Sequence, residues 1–443
     1  MGKLFGTDGI RGVANETLTC RLAYRVGQAA AISLERADGK RPKVVIGKDT
    51  RISSDMLEAA LLAGLTASGC DAVRLGVIPT PAVAYLTVHE QADAGIVISA
   101  SHNPFEHNGI KMFSAQGFKL SDELEAEIEA LILQKGELPA RTHGEIGRIY
   151  DGVQLMDVYL DHLASTVDGL QPIKVVFDCA NGAASATAKK LFSRFPLQAE
   201  YLSVSPDGVN INENCGSTHL ERLSRAVREG GFQLGLAFDG DADENGCEID
   251  GDQIMAVCAE YLTAQGKLQS EGFVATVMSN LGLHKFCEAQ HLKLLCAAVG
   301  DRNVLEKMLE RDYRIGGEQS GHTIFTDVET TGDGEVTALQ FLQVLARSGE
   351  KASSLVSCCA VYPQVLVNVE VPHSGGVKEA IMASPALAEA VKREEEALAG
   401  AGRVLVRPSG TEALIRVMVE AKTTQIAQAV ADRLADFIKS QKK

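Results

Sequence analysis

Short apolar runs that alternate with helical patterns constrain the fold of this chain most strongly. Such runs occupy residues 44–47, 95–98, 174–178, 234–238 and 273–277, and each is typical of a buried strand. Strands that alternate with helical patterns predict βαβ units and mainly parallel sheets. The sequence therefore predicts an α/β protein.

The chain has 443 residues, which is enough for three or four domains. Interruptions of the pattern predict boundaries near residues 150, 250 and 365. The last part differs from the rest, because two strands flank a polar turn and one long amphipathic helix follows. We predict four domains, at residues 1–153, 154–253, 254–368 and 369–443.

Two helix starts can be predicted from serines. Ser53 or Ser54 is expected to cap a helix that carries Leu57 and Leu61 on its buried face. Ser121 is expected to open a helix with a buried stripe at positions 124, 128, 131 and 132.

Composition limits the classes of partner. The net charge of −15 disfavours binding to nucleic acid or to an anionic membrane surface. The ten cysteines form no Cys-x-x-Cys pair, and the chain does not begin with a signal peptide pattern. Together these features predict reduced thiols and a cytoplasmic protein. No run of residues is long and apolar enough to suggest a membrane span.

A serine-containing turn follows the strand at 95–98. It reads Ser99-Ala100-Ser101-His102-Asn103-Pro104, with Asn-Gly-Ile-Lys at 108–111. A hydroxyl on a loop at the end of a buried strand is where α/β proteins place reactive groups. The alternative is an ordinary turn, since Ser, Asn and Pro are common loop residues.

Three carboxylates follow the strand at 234–238. Asp239, Asp241 and Asp243 alternate with small residues, so their oxygens can converge on one small cation. Carboxylate oxygens are preferred ligands of Mg²⁺. The alternatives are a solvated acidic turn or a calcium loop, although no glutamate closes the run at the spacing that a calcium loop needs.

A third polar stretch, Arg407-Pro408-Ser409-Gly410-Thr411-Glu412, lies between two predicted strands. A guanidinium group, two hydroxyls and backbone N–H groups exposed by glycine can form a phosphate nest. Arg416 is a candidate for a second cation there. The alternative is a polar hairpin turn.

These three stretches, in this order, resemble the α-D-phosphohexomutases. The resemblance is supported by the FGTDGIRG start at residues 5–12, by GGEQSGH at 316–322 and by TGDG at 331–334. Within that superfamily, the wording of the start and of the 316–322 run is most similar to the bacterial phosphoglucosamine mutase family. The motifs span essentially the whole chain.

The resemblance implies an enzyme with three similar α/β domains, of mixed and mainly parallel sheets, and a smaller C-terminal α+β domain, arranged as a heart around a central cleft. The four domains would carry, in order, the phosphoserine loop, the metal, the sugar-recognition loop and the phosphate-binding loop. The reaction implied moves phosphate between O6 and O1 of glucosamine through a phosphoserine and a 1,6-bisphosphate, towards amino-sugar nucleotide and cell-wall precursors.

The resemblance also implies roles for individual residues. The implied cofactors are Mg²⁺ and a glucose- or glucosamine-1,6-bisphosphate activator, and the implied partner is a small phosphosugar; a homodimer is an open possibility. The catalytic candidates are Ser101, Lys111, Arg11, His102 and His322; the metal ligands are Ser101, Asp239, Asp241 and Asp243; the substrate-binding candidates are Glu318, Ser320, Arg302, Arg407, Ser409, Gly410, Thr411 and Arg416.

The chain departs from the family pattern directly after Asp243. The family has an arginine, a short apolar strand and an acidic turn there, whereas this chain continues with Glu244-Asn245-Gly246. About six residues are therefore missing relative to the family pattern. Three hypotheses follow: a working phosphoglucosamine mutase, a mutase for glucose or mannose phosphates, and a variant that binds sugar phosphates without efficient turnover. Net phosphatase action is a weaker fourth option.

Overall fold

The computed structural model describes residues 4–6, 8–242, 245–246, 249–268, 272–372, 376–409 and 413–441. The chain forms two compact units: Met1–Met278 with Leu292–Cys358, and Ser279–His291 with Cys359–Lys443. The described part contains no helix that is long and apolar enough to cross a membrane. The nine cysteines among the described residues form no disulfide.

The first sheet has six strands and confirms the predicted mixed, mainly parallel arrangement. Four neighbouring strands are parallel. The strand next to them runs antiparallel, and the last strand at that end is antiparallel to its neighbour and so runs in the same direction as the four. In spatial order they are β1 (Ile10–Val13), β5 (His107–Ser114), β4 (Ala94–Ile98), β2 (Lys43–Lys48), β3 (Asp71–Val77) and β6 (Ile149–Asp151).

Four helices accompany this sheet: α1 (Cys20–Ser33), α2 (Ile52–Ala67), α3 (Thr80–His89) and α4 (Asp122–Leu133). Ser121 caps α4, as predicted. The prediction for α2 is wrong, because the helix already begins at Ile52 and encloses both Ser53 and Ser54. Their hydroxyls instead accept hydrogen bonds from Asn108 Nδ2, at 2.9 and 3.0 Å.

The second sheet has the spatial order β10 (Asn245–Gly246), β9 (Leu234–Phe238), β7 (Lys174–Asp178) and β8 (Gln198–Leu202). Its helices are α5 (Leu155–Ser165), α6 (Ala184–Phe192) and α7 (Glu221–Gly230). Strand β10 pairs antiparallel with β9, with Asn245 opposite Phe238. In the shortened segment after Asp243, the described strand pairing is therefore limited to these two residues.

The third sheet has the order β12 (Lys293–Ala297), β11 (Gly272–Thr276), β13 (Ile315–Gly317) and β14 (Thr323–Phe325). The first three strands are parallel, and β14 is antiparallel. Its helices are α8 (Gly251–Ala264), α10 (Asp301–Arg311), α11 (Gly334–Ser348) and the short α12 (Ala352–Leu355).

The second unit contains an antiparallel sheet in the order β15 (Gln364–Glu370), β17 (Leu414–Ala421) and β16 (Gly402–Pro408). Its helices are α9 (Leu281–Gln290), α13 (Val377–Met382), α14 (Pro385–Ala397) and α15 (Thr424–Ser440). Buried residues of β17 and α15, among them Val417, Val430 and Leu434, form its core. The sequence boundary between 368 and 369 falls inside β15.

Candidate active site

The serine turn between β4 and β5 is buried and conformationally strained. Ser101 is 4% exposed and has a φ of 54°, a left-handed conformation that costs a non-glycine residue free energy. Its backbone N–H donates to Ser99 Oγ at 3.1 Å. A strained residue persists only where its surroundings hold it, so the contacts around Ser101 are informative.

Two long-range donors hold the carbonyl groups of this turn. Arg51 Nη2 donates to the carbonyl oxygens of Ser101 and Asn103, at 2.9 and 2.6 Å. Asn212 Nδ2 donates to the same two oxygens, at 2.9 and 3.0 Å. Arg51 is fully buried and paired with Asp49, so the turn is fixed from two domains.

The carboxylate run after β9 lies against the serine turn. Asp239 and Asp241 are fully buried, and the Ser101 hydroxyl donates to Asp239 Oδ2. A Cβ on Gly240 would lie 2.4 Å from the Ser101 carbonyl oxygen, so only glycine allows this close approach. Asp243, the third predicted metal ligand, lies outside the described residues.

The two carboxylate oxygens of Asp241 differ in their surroundings. Oδ2 accepts from Lys111 Nζ at 2.8 Å and from Thr80 Oγ1 at 2.6 Å. Oδ1 is buried and has no hydrogen-bond partner among the described residues. Burial raises the pKa of Asp241, but Lys111 and the hydroxyl of Thr80 outweigh burial and hold the pKa below its usual value.

These residues fit a hard divalent cation. A buried carboxylate oxygen without a hydrogen-bond partner costs free energy unless something else satisfies it. The donors are carboxylate and hydroxyl oxygens, which suit Mg²⁺. Within the described ranges, no set of three or more His, Cys, Asp or Glu side chains forms a metal site. Any third carboxylate would thus have to come from Asp243 or from elsewhere outside these ranges.

Asp8 is the anion at the centre of a cluster of cations. Its carboxylate lies 3.1 Å from Lys111 Nζ and 2.6 Å from Lys119 Nζ, and it also pairs with Arg11. Burial raises the pKa of Asp8, but the charges of Lys111, Lys119 and Arg11 outweigh burial and hold the pKa well below its usual value. The predicted residues Lys111 and Arg11 are therefore brought together by a residue to which the sequence analysis gave no role.

Lys119 extends this cluster toward the predicted sugar-recognition loop. Its Nζ lies 2.8 Å from an oxygen of Asp301, whose carboxylate is 3.6 Å from His322 Nε2. Burial lowers the pKa of Lys119, but Asp301 and Asp8 outweigh burial and raise the pKa overall. A chain of alternately acidic and basic side chains thus runs from Asp241 through Lys111, Asp8, Lys119 and Asp301 to His322.

The loop between β13 and β14 carries the remaining sugar-binding candidates. Glu318 Oε1 accepts from the backbone N–H of Gly300 at 3.0 Å, and Ser320 is exposed. His322 is 4% exposed, and a Cβ on Gly332 would lie 2.3 Å from its Nε2. Gly332 therefore makes the space for this ring.

Arg302 and His102 lie at the margins of the site. Arg302 Nη1 donates to Asp122 Oδ1 at 2.6 Å, and its side chain lines a cavity of about 190 Å³ beside Lys119. His102 is exposed and has its Nδ1 3.3 Å from Ser101 Oγ. Partial desolvation of the ring by the protein atoms around it and the nearby charge of Arg11 lower its pKa.

The second unit holds the predicted phosphate loop. Arg407 and Arg416 are directly opposite on the antiparallel strands β16 and β17. Burial and the charge of Arg416 lower the pKa of Arg407. Ser409 is buried, and its carbonyl oxygen accepts from Lys378 Nζ at 2.8 Å. Gly410 and Thr411 lie outside the described residues.

Four residues that position this site had no role in the sequence analysis: Asp8, Arg51, Thr80 and Asn212. Arg51 lies in a polar run after β2, and Thr80 lies shortly after β3. Parallel strands end at the same edge of a sheet, so polar residues that follow neighbouring strands are expected to lie close together. That pattern was the sequence signal that could have identified Arg51 and Thr80. For Asn212 we find no comparable signal, because it lies in an irregular segment.

Four domain families match the chain. They are the phosphoglucomutase/phosphomannomutase alpha/beta/alpha domains I, II and III, at residues 2–138, 157–250 and 250–362, and the C-terminal domain of the same proteins at 366–437. Among solved structures, a phosphoglucomutase/phosphomannomutase family protein of Burkholderia thailandensis is 23% identical, with a TM-score of 0.81 over 100% of this chain and 99% of that one. An N-acetylphosphoglucosamine mutase of Aspergillus fumigatus, solved with GlcNAc-6P and magnesium, is 18% identical, with a TM-score of 0.70 over 99% and 96%. These two structures share the fold.

Curated relatives are more similar in sequence. A phosphoglucosamine mutase of Desulforamulus reducens is 50% identical, with 99% of each chain covered. One of Caldicellulosiruptor saccharolyticus is 51% identical, again with 99% of each chain covered. One of Brevibacillus brevis is 49% identical, with 100% of each chain covered. The chain therefore belongs to the phosphoglucosamine mutase family of the α-D-phosphohexomutases, whose members are isomerases of the mutase type.

Proposed function

We propose that this protein interconverts glucosamine-6-phosphate and glucosamine-1-phosphate, with Ser101 as the phosphoryl carrier. The observation that carries the proposal is the buried Ser101 hydroxyl, which donates to Asp239 beside the Lys111–Asp241 ion pair. Phosphoryl transfer depends mostly on positioning and on stabilisation of charge. A hydroxyl on a strained backbone, bonded to one carboxylate that neighbours a second carboxylate and its ammonium partner, meets both needs.

The reaction needs two transfers. In the first, the O1 hydroxyl of glucosamine-6-phosphate attacks the phosphorus of phosphorylated Ser101, the bond from phosphorus to Oγ breaks, and the hydroxyl proton passes to a base. The product is the 1,6-bisphosphate. After the intermediate turns over, Ser101 Oγ attacks the 6-phosphate, the bond to O6 breaks, and O6 takes up a proton. Glucosamine-1-phosphate leaves, and Ser101 is phosphorylated again.

Asp239, Asp241 and Asp243, with an oxygen of phosphorylated Ser101, would hold Mg²⁺, which neutralises charge on the transferring phosphoryl group. The buried Oδ1 of Asp241, without a hydrogen-bond partner among the described residues, supports this assignment. Arg51 and Asn212 keep the Ser101 backbone in place through both transfers. A misplacement of about 1 Å can cost on the order of a hundredfold in rate.

Lys111 and Arg11 are the proposed proton-transfer and charge-stabilising groups on the side of the serine turn. Asp8 orients both of them. His322 is proposed to act at the sugar, since Asp301 lies near its Nε2. His102, whose lowered pKa favours the neutral ring, is proposed to shape the serine turn.

The remaining candidates are proposed to bind substrate. Glu318 and Ser320 would bind sugar hydroxyls, with Arg302 at the margin of the sugar site. The phosphate that is not being transferred would be bound by the pair of arginines and the loop beside them, namely Arg407, Ser409, Gly410, Thr411 and Arg416. Two adjacent guanidinium groups are well suited to a phosphate dianion.

A sugar 1,6-bisphosphate, with glucose or glucosamine as the sugar, is proposed to prime the unphosphorylated protein by transferring one phosphoryl group to Ser101. The substrate is then a small phosphosugar, and the product would serve amino-sugar nucleotide and cell-wall precursor synthesis. We propose the four predicted domains as the units that carry these roles.

The test is conversion of glucosamine-6-phosphate to glucosamine-1-phosphate with Mg²⁺ and glucose-1,6-bisphosphate. Wild-type protein is compared with Ser101→Ala and with Ser193→Ala, which removes an exposed hydroxyl that donates to the carbonyl oxygen of Lys190. We expect conversion by wild type and Ser193→Ala, and a loss on the order of a thousandfold or more in Ser101→Ala.

Parallel assays with glucose-1-phosphate and mannose-1-phosphate separate the substrate classes. Faster turnover of either would favour a phosphoglucomutase or phosphomannomutase. Net phosphate release without isomerisation would indicate a phosphatase. Binding of phosphosugar by folded protein without any turnover would mean that the shortened segment after Asp243 has disabled catalysis.

A further inference from the structure

The main chain of residues 240–242 is held by the first turns of three helices. The backbone N–H of Ala183, which precedes α6, donates to the carbonyl oxygen of Gly240 at 2.8 Å. The N–H of Thr80, the first residue of α3, donates to the carbonyl oxygen of Asp241 at 2.9 Å. The N–H of Gly334, the first residue of α11, donates to the carbonyl oxygen of Ala242 at 2.9 Å.

Three successive carbonyl groups therefore accept from three separate helix N-termini. The first N–H groups of a helix have no partner inside the helix, so these donors are available without cost to the helices. The N-terminal end of a helix also carries partial positive charge, which favours nearby carboxylates. The contacts that hold the carbonyl groups of residues 240–242 thus come from outside the shortened segment that directly follows Asp243.

Thr80 makes a second contact with this run. Its hydroxyl donates to Asp241 Oδ2 at 2.6 Å, and its side chain is buried. Thr80 therefore binds both the main chain and the side chain of Asp241. Lys111 donates to the same oxygen. Oδ2 therefore accepts two hydrogen bonds, whereas Oδ1 has no hydrogen-bond partner among the described residues.

We infer that Thr80 is a positioning residue for the metal: it orients Asp241 so that Oδ1 is the oxygen offered to the cation. The three helix N-termini and this hydroxyl keep the carboxylate run in place although the following segment is shorter than the family pattern. The inference rests on the proposed function, in which Asp241 is a metal ligand.

The test measures metal binding separately from turnover. Mn²⁺ is titrated into the full-length, unphosphorylated protein without sugar, and free Mn²⁺ is followed by its paramagnetic resonance signal. The variants are Thr80→Val, which removes the hydroxyl and keeps the backbone N–H, and Thr80→Ser, which keeps both. Thr87→Val is the matched control, because Thr87 is a buried threonine of the same helix whose hydroxyl bonds only to Val83 O among the described contacts.

We expect Thr80→Val to weaken Mn²⁺ binding about tenfold or more, since hydrogen bonds to charged groups contribute about 1.5–3 kcal/mol. Thr80→Ser and Thr87→Val should stay within about twofold of wild type. In the mutase assay, Thr80→Val should raise the Mg²⁺ concentration needed for half-maximal rate far more than it lowers kcat at saturating Mg²⁺.

The outcomes separate this inference from the proposed function. Wild-type protein that binds no Mn²⁺ would contradict the proposed metal site itself. Wild-type binding with unchanged affinity in Thr80→Val, or equal weakening in Thr80→Ser, would overturn the role of the hydroxyl. If Thr80→Val does not fold, as judged by its melting transition, Thr80→Ala takes its place and is judged by the same criteria.

Discussion

The carboxylate run at 239–242 and the arginine pair at Arg407 and Arg416 hold their charged side chains in different ways. The first is fully buried, and a hydrogen bond holds each of the carbonyl groups of residues 240–242. The second places two half-buried cations opposite one another on neighbouring strands, an arrangement that an anion would stabilise. We therefore expect the exact placement of the carboxylates to govern the rate of catalysis at the first region. At the second region, we expect the positive charge of the arginines to govern the affinity for substrate.

Asp241→Asn should have the largest effect, because it removes a buried charge while keeping the side-chain shape. We expect kcat to fall on the order of a thousandfold, as for loss of a preorganised charge-stabilising group. Asp161→Asn is the control, since Asp161 is an exposed partner of Arg194. Steady-state kinetics with saturating substrate would test this. A variant with near-normal kcat and raised KM would mean that Asp241 contributes to substrate affinity rather than to the rate of catalysis.

Asp8→Asn should reduce kcat by on the order of a hundredfold, because Lys111 and Arg11 lose the carboxylate that orients them. The matched control is Asp161→Asn, which removes an exposed carboxylate that pairs with Arg194. The measurement is kcat at saturating glucosamine-6-phosphate. If Asp8→Asn and Asp161→Asn lose equal activity, the chain of acidic and basic side chains around Asp8 has no specific role.

Arg407→Gln should raise KM about tenfold or more and change kcat much less, because charge-assisted hydrogen bonds to phosphate contribute about 1.5–3 kcal/mol. Arg393→Gln, at an exposed position of helix α14 in the same unit, controls for the change in net charge. Initial rates over a wide range of substrate concentration separate the two constants. A fall in kcat at unchanged KM would contradict the proposal that the arginine pair acts on substrate affinity and the carboxylate run on catalysis.

Glu329→Gln should have the smallest effect, and on stability rather than on turnover. Burial raises the pKa of Glu329 from 4.5 to about 7, although His162 lowers it. Between these values the folded protein holds a proton that the unfolded chain has released, so the free energy of unfolding falls as pH rises through this window. The raised pKa of His162, opposed by burial but favoured by Glu329, gives a contribution that is also lost as pH rises.

Melting temperatures from about pH 5 to about pH 8 would test this sign, with a wild-type loss on the order of 1–3 kcal/mol from the glutamate. Glu329→Gln should show a smaller decline, whereas the exposed control Glu350→Gln should follow wild type. A wild-type protein whose stability rises with pH through this window would contradict the assignment.

The sequence allowed prediction of the loops that follow buried strands, because an apolar run that ends in polar residues is a local signal. Ser101, Asp239 and Asp241 were singled out in this way, whereas Arg407, expected in a loop, lies within strand β16. The residues that hold these loops could not be found locally, since Thr80 and Asp241 are 161 positions apart. Their contacts exist only once strands from different domains are brought together.

The error at α2 has a related cause. Ser53 and Ser54 have the side chains of helix caps, but Asp49 accepts from the Arg51 backbone and side chain and from the Ser54 hydroxyl, and the helix begins two or three residues earlier than predicted. The serines are then free to accept from Asn108. Local propensity was overridden by a buried ion pair that supports the serine turn.

The most direct test of the account is where the phosphoryl group goes. Unphosphorylated protein is incubated with Mg²⁺ and glucose-1,6-bisphosphate that is isotopically labelled in both phosphates, and the labelled peptide is identified by mass spectrometry. The account predicts label on Ser101 in wild type and in Arg407→Gln at high bisphosphate, and little label in Asp241→Asn. Label on another residue, or equal labelling of Ser101 in all three proteins, would contradict it.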